Sequence, residues 1–183
     1  MRIVGVDPSL TATGIACTCG TSVFTTRKRG PERLFEIAME VRSHATGVCT
    51  ELGNHSGVVV LEGYSYASAN QAHQLGELGG VVRVELWRCQ IPYVEIPPAL
   101  LKRFATGKGN AGKDEMLAAA IRRFSFEGSG NNEADAFLLQ EMGRHAYWRN
   151  EVELLKPMPT LSYMREAVGK VTWPEVRPTQ TVP

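Results

Sequence analysis

The chain lacks any apolar run long enough to cross a bilayer; its longest runs are strand-sized, which excludes a helical membrane span. No basic-then-apolar leader precedes the first apolar segment, so an intracellular, cytoplasmic protein is expected. No internal repeat is visible. The four cysteines, Cys17, Cys19, Cys49 and Cys89, are not accompanied by a histidine pair at zinc spacing. A zinc site is therefore not expected, and buried free thiols in a reducing compartment are. Cys17 and Cys19, one residue apart on a predicted strand, should share a face. The net charge of +1 gives no bulk sign of nucleic-acid binding.

What is present is a globular composition, 43% hydrophobic and 21% charged over 183 residues, enough for one ordinary domain with a sizeable core. Residues 2–7, 12–18 and 21–26 read as three successive strands punctuated by Gly14 and Gly20. Pro31 opens a helix with Leu34, Ile37, Ala38, Val41 and Ala45 at helical spacing and Gly47 as its stop. Val58–Glu62 is a nearly continuous apolar run, suited to a central strand covered on both faces. Residues 69–88 read as a long helix in which Gly76, Gly79 and Gly80 would permit close packing or a kink.

A short strand at Tyr93–Ile96 precedes a helical stretch from Pro97-Pro98 through Phe104. After a Gly-rich loop at 106–112, a helix over Lys113–Phe124 turns Met116, Leu117, Ala120, Ile121 and Phe124 to one side. A last core helix covers roughly 132–147. Three strands followed by alternating helices and strands make a mixed α/β sheet with helices on its faces. Residues 1–149 form the predicted domain; residues 150–183, rich in proline, read as an extension with a helix at Ser162–Val171 and then a loose tail.

Three acidic residues stand out against this frame. Asp7 ends the first strand, Glu62 ends the Val58–Leu61 run, and Asp135 lies on the last core helix. Each alone has a bland reading: Asp7-Pro8 as a turn, Glu62-Gly63 as an exposed strand end, Asn132-x-x-Asp135 as a capping box. Together they carry more weight, because Asp135 shares a helix face with Leu138, Leu139 and Met142, a stripe that should pack on the sheet and aim the acid at the strand ends. Three carboxylates from three elements suit hard divalent cations, and two such ions can activate a water and neutralise a leaving oxygen in phosphodiester hydrolysis. Basic residues cluster at Arg27-Lys28-Arg29 with Arg33, at Lys102-Arg103, at Lys108 and Lys113, and at Arg122-Arg123. They would serve the phosphates, except Arg122-Arg123, which reads as solvated surface charge.

The segments Gly5-Val-Asp7-Pro-Ser-Leu-Thr-Ala-Thr-Gly14, Leu61-Glu62 and Glu133-Ala-Asp135-Ala136 resemble, in order and spacing, the RuvC family of Holliday junction resolvases over residues 2 to 146. The resemblance implies an RNase H-like fold: a mixed five-stranded sheet, three antiparallel strands then parallel ones, flanked by helices. It implies a homodimer acting on four-way or branched DNA junctions, with Asp7, Glu62 and Asp135 binding two Mg²⁺ ions for which Mn²⁺ can substitute. Family members carry a fourth acid or a histidine one helical turn before the last aspartate. Asn132 stands there in this chain, so its amide oxygen, Glu133 or water would complete the ligand set. Two lysines of the family, used in DNA binding and activity, match Lys102 and Lys113. An aromatic that acts at the junction centre matches Tyr64 or Tyr66. The compact core and the asparagine point to a divergent member, with a virus as one source.

Gly107-Lys-Gly-Asn-Ala-Gly-Lys113 satisfies both G-x-G-x-x-G and G-x-x-x-x-G-K, yet Asp114 stands where a P-loop needs Ser or Thr, and no buried strand precedes it. No nucleotide cofactor is expected. The loop, with Lys108 and the nearby Arg103, is assigned to the DNA backbone instead. Three other readings remain. A phosphotransferase of the actin and sugar-kinase type shares the Asp7–Gly14 pattern but needs a second large domain. An RNA–DNA hybrid nuclease shares the acids. A non-catalytic junction-binding protein fits the asparagine.

Overall fold

The computed structural model describes residues 1–47, 57–63, 72–147 and 161–176. Among them five strands and six helices follow one another as β1 (Ile3–Asp7), β2 (Thr13–Cys17), β3 (Gly20–Phe24), α1 (Gly30–Thr46), β4 (Val58–Glu62), α2 (Ala72–Arg88), β5 (Tyr93–Ile96), α3 (Pro98–Thr106), α4 (Lys113–Phe124), α5 (Asn131–Tyr147) and α6 (Ser162–Gly169). They form one five-stranded sheet in the order β3-β2-β1-β4-β5. β1, β2 and β3 pair antiparallel, and β4 and β5 add on parallel to β1. The mixed sheet expected from the chain order is thus present, with the strand ends moved by at most two residues; the expected start of the second helix, residues 69–71, lies outside the described residues.

The strand period of two sorts the core into two layers. Val4, Val6, Val59 and Leu61 face α1 and α2, where Ile37, Val41, Leu78, Val82 and Leu86 cover them. Ile3 and Val60 face the other way, onto a layer built by α3, α4, α5 and α6. β4 is apolar along its length because both of its faces are covered. The same alternation turns Asp7, two residues beyond Gly5, and Glu62, two beyond Val60, toward the α5 side.

α5 lies against the backbone of β1 and β2. A Cβ on Gly5 would come within 2.0 Å of the Ala136 carbonyl oxygen, and one on Gly14 within 2.1 Å of that of Asn132. Only glycine allows this approach. Gln140 Nε2 donates to the Ile3 carbonyl at 3.1 Å and Asn132 Nδ2 to the Ala12 carbonyl at 2.9 Å, so the helix is pinned at two levels. Leu138, Leu139 and Met142 are fully buried, as their spacing predicts.

Several expectations need correction. Gly76 and Gly80 face open space, so neither serves close packing. Ile121 is 46% exposed, and Ala119 takes the buried place on α4. Arg123 is not solvated surface charge: it donates to the Ala105 carbonyl at 2.6 Å and to the Tyr163 hydroxyl, tying α4 to α3 and α6. Of the thiols among the described residues only Cys17 is buried; Cys19 and Cys89 are exposed. Cys19 falls in the β2–β3 turn, which takes it off the strand face it was expected to share with Cys17. Met164 and Ala167 of α6 are buried in the same core as α3.

Candidate functional site

The parallel pairing of β1 and β4 matches Val6 with Leu61, so the next residues, Asp7 and Glu62, leave the sheet side by side. Their carboxyl groups are hydrogen-bonded to each other. Burial and the neighbouring negative charges of Glu62 and Asp135 hold Asp7 well above the usual carboxylate range. Glu62 is raised by burial, with the hydrogen bond from Asp7 working the other way. With both carboxyls raised, the directions favour one proton held between Asp7 and Glu62. Asp135 is raised by burial and lowered by Lys113 and Lys102. Two carboxylates roughly 4 Å apart repel by about 4 kcal/mol at an effective dielectric of about 20, and a shared proton removes that repulsion.

The three acids line one cleft of about 610 Å³, together with Asn132, Lys102, Lys113, Arg33 and Gln74. Lys113 is the first residue of α4 and Lys102 lies on α3, so two helices bring ammonium groups over the acids. The β1–β2 connection forms the rim. There the Thr13 hydroxyl donates to the Ser9 carbonyl at 2.7 Å and accepts from the Ser9 N–H at 3.1 Å, holding Pro8–Ala12 as a fixed turn. Among the described residues no three His, Cys, Asp or Glu side chains are already gathered around one point as the ligands of a bound ion would be. The donor set nevertheless suits a hard cation. It is all oxygen, it converges from three elements, and the proton between Asp7 and Glu62 occupies the place of a positive charge.

The sequence-predicted residues divide on position. Asp7, Glu62, Asp135, Asn132, Lys102 and Lys113 meet in the cleft. Lys108 does not: it pairs with Glu115 at 3.2 Å on a separate shallow surface. Arg103 turns from the cleft to Glu166 on α6, at 3.1 Å. Glu133 folds back toward Gly130, whereas Asn132 lines the cleft. α5 begins at Asn131, so Asp135 stands beyond its first turn and is no partner in a capping box. Tyr64 and Tyr66 lie outside the described residues. Arg33 is in the cleft, its Nε held by the Lys28 carbonyl at 2.8 Å; in the sequence it was one member of a basic cluster.

The Gly-rich segment is explained without a nucleotide. It follows a helix, and its ends are a stop and a start. Gly107 closes α3 in the left-handed region at φ 85°, and the Gly112 N–H is accepted by Glu115 at the beginning of α4.

No helix among the described residues is long and apolar enough to cross a membrane. No family model matches the chain. Curated relatives do. The crossover junction endodeoxyribonuclease RuvC of Synechococcus sp. (strain WH7803) is 33% identical over 138 residues, spanning 69% of this chain and 86% of the relative. That of Parasynechococcus marenigrum (strain WH8102) is 32% identical over 133 residues, 67% of this chain and 82% of the relative. Among solved structures, Thermus thermophilus RuvC matches with a TM-score of 0.63 at 20% identity, over 81% of this chain and 97% of that one. T. thermophilus RuvC in complex with Holliday junction substrate matches with a TM-score of 0.59 at 18% identity, over 76% and 90%. At these identities the structural likeness is one of fold, and it agrees with the RNase H-like sheet expected above. With a relative one-third identical over most of its length, the chain belongs to the RuvC family of crossover junction endodeoxyribonucleases.

Proposed function

We propose that this protein is a Mg²⁺-dependent endodeoxyribonuclease that resolves four-way DNA junctions by paired nicking, as a homodimer. The observation that carries the reading is the convergence of Asp7, Glu62 and Asp135 in one cleft beneath Lys102 and Lys113. Asp7, Glu62 and Asp135 would hold the cations, with Asn132 Oδ1 as a neutral fourth donor, since its Nδ2 is occupied by Ala12. Bound Mg²⁺, or Mn²⁺ in its place, would supply the Lewis acidity that activates water and neutralises the leaving 3′-oxygen.

The protein's own groups do the rest. On holding a cation, Asp7 and Glu62 would release the proton they share to solvent. Lys113 and Lys102 neutralise the scissile phosphate, and Arg33 continues the positive rim along the strand. Gly5 and Gly14 set the height of α5 and so the reach of Asp135. Products would carry 5′-phosphate and 3′-hydroxyl ends, ready for ligation.

Resolution needs a cut in each of two strands, and the described residues of one chain offer one acid-lined cleft, so the reading calls for two copies. Val84 and Trp87, three residues apart on α2 and 56% and 74% exposed, offer an apolar surface to the second copy.

The test is cleavage of a labelled four-way junction by the full-length protein in Mg²⁺. Asp7→Asn, Glu62→Gln and Asp135→Asn should each abolish nicking while retaining junction binding. Cutting retained by any of them would remove that residue from the set. Preferential cutting of an RNA–DNA hybrid would favour the hybrid nuclease. Binding without cutting by the unaltered protein would make it a junction-binding protein only.

A further inference from the structure

A thiol, an imidazole and a carboxylate lie in a chain of contacts at the opposite end of β2 from the acids. Gly14 pairs with Asp7, and Cys17 stands three residues further along the strand, roughly 10 Å away at the usual rise. Cys17 Sγ lies 3.5 Å from His44 Nδ1, on the last turn of α1. The other ring nitrogen, Nε2, lies 3.2 Å from a Glu40 carboxylate oxygen. A carboxylate only accepts, so Nε2 carries the proton and Nδ1 turns its lone pair to the sulfur. Arg2 donates to the His44 carbonyl at 3.2 Å, which fixes this turn of α1 beside β1. On the thiol side, the Cys19 backbone N–H donates to Cys17 Sγ at 3.4 Å.

Three features agree on one kind of ligand. A sulfur and a nitrogen bound to one tetrahedral zinc, at about 2.3 Å and about 2.0–2.1 Å, are about 3.5 Å apart, the separation seen here. A carboxylate on the far nitrogen is the usual outer support of a metal-binding histidine. An amide N–H donated to sulfur stabilises a thiolate. The donors are soft, in contrast to the all-oxygen cleft, so the two sites sort cations by chemistry.

The geometry points to a binding site for a soft divalent cation of the Zn²⁺ class, with Cys17 Sγ and His44 Nδ1 as ligands already in place and Glu40 as outer support. Cys19, exposed in the β2–β3 turn two residues on, supplies a third thiolate by rotating its side chain, and solvent fills the remaining position. Among the described residues the third ligand is not yet turned in. Loaded, the site ties the β2–β3 hairpin to the end of α1. It is independent of the nuclease reading.

Co²⁺ titration of the reduced, metal-stripped full-length protein tests it. One equivalent should give a thiolate-to-cobalt charge-transfer band that stoichiometric Zn²⁺ abolishes and excess Mg²⁺ does not. Cys17→Ser should abolish the band. Glu40→Gln, a half-exposed change that spares the core, should weaken Co²⁺ binding about 10-fold or more. Asp7→Asn should leave the charge-transfer band unchanged. No band in the unaltered protein, or a band kept in Cys17→Ser and so carried by cysteines elsewhere, overturns the proposal. If Cys17→Ser does not fold by circular dichroism, His44→Gln decides: unchanged Co²⁺ affinity overturns the site, and a loss of 10-fold or more supports it.

Discussion

Gly14 lies so close beneath α5 that a methyl group on it would meet the Asn132 carbonyl oxygen at 2.1 Å. Backbone faces backbone there, and no flexible side chain can give way. Gly14→Ala must lift the start of α5 from the sheet, and with it Asp135. The expected cost is about 1–3 kcal/mol or more of stability, read by denaturant unfolding. Nicking should fall further than the folded fraction does. The control is Gly76→Ala, on the open face of α2, which should stabilise by about 0.5–1 kcal/mol. Equal effects at the two positions would show that the close approach is not what Gly14 is for.

The Asp7–Glu62 pair links stability to pH with a definite sign. Asp7's carboxyl is raised above its ordinary value of 3.8 in the folded protein. Its contribution is therefore fully present below that ordinary value and is lost as pH rises through the folded one. In EDTA, the melting temperature of Asp7→Asn should gain on the unaltered protein as pH rises above the ordinary carboxylate value, because the amide has no charge to bury. Mg²⁺ should then raise the melting temperature of the unaltered protein and leave that of Asp7→Asn in place. A difference that does not grow with pH would contradict the shared proton.

Lys102 and Lys108 carry the same charge a few residues apart but stand in different places. Lys102 lines the cleft, whereas Lys108 is engaged by Glu115. Lys102→Ala should weaken junction binding and reduce the slope of log affinity against log salt by about 1. Lys108→Ala should leave the slope nearly unchanged. Fluorescence anisotropy at several salt concentrations separates them, and a larger loss from Lys108 would return the Gly-rich loop to the DNA path.

Trp87→Glu places a charge on the exposed stripe of α2. If that stripe meets a second copy, dissociation should be favoured by about 2 kcal/mol or more, roughly 30-fold in Kd. Sedimentation velocity reads this directly; an unchanged oligomeric state would move the dimer surface elsewhere.

Much of the fold was legible because apolar periodicity is a local signal. Val58–Glu62 announces a doubly covered strand, and Leu138, Leu139 and Met142 announce the buried face of α5. From these, the meeting of Asp7, Glu62 and Asp135 could be argued before any coordinates. Long cations are different. Arg33 and Arg103 look alike in a basic cluster, yet one enters the cleft and the other turns to Glu166. Nothing in residue spacing sets the direction of a flexible side chain. Gly14 reads as punctuation and Gly5 as part of a strand, and the partner of both is a helix more than a hundred residues later. The Cys17–His44 contact is illegible in the sequence for the same reason: the two residues belong to different segments and meet only after β2 and α1 pack.

The three cleft acids belong to the beginning, the middle and the late part of the chain. On the assignment made here, a ribosome-bound or partly unfolded copy holds at most two of them in register and has no nuclease chemistry to offer. Harm to the cell's own DNA is thereby confined to molecules that have finished folding, and loss of cutting becomes a sensitive alarm for the undocking of α5.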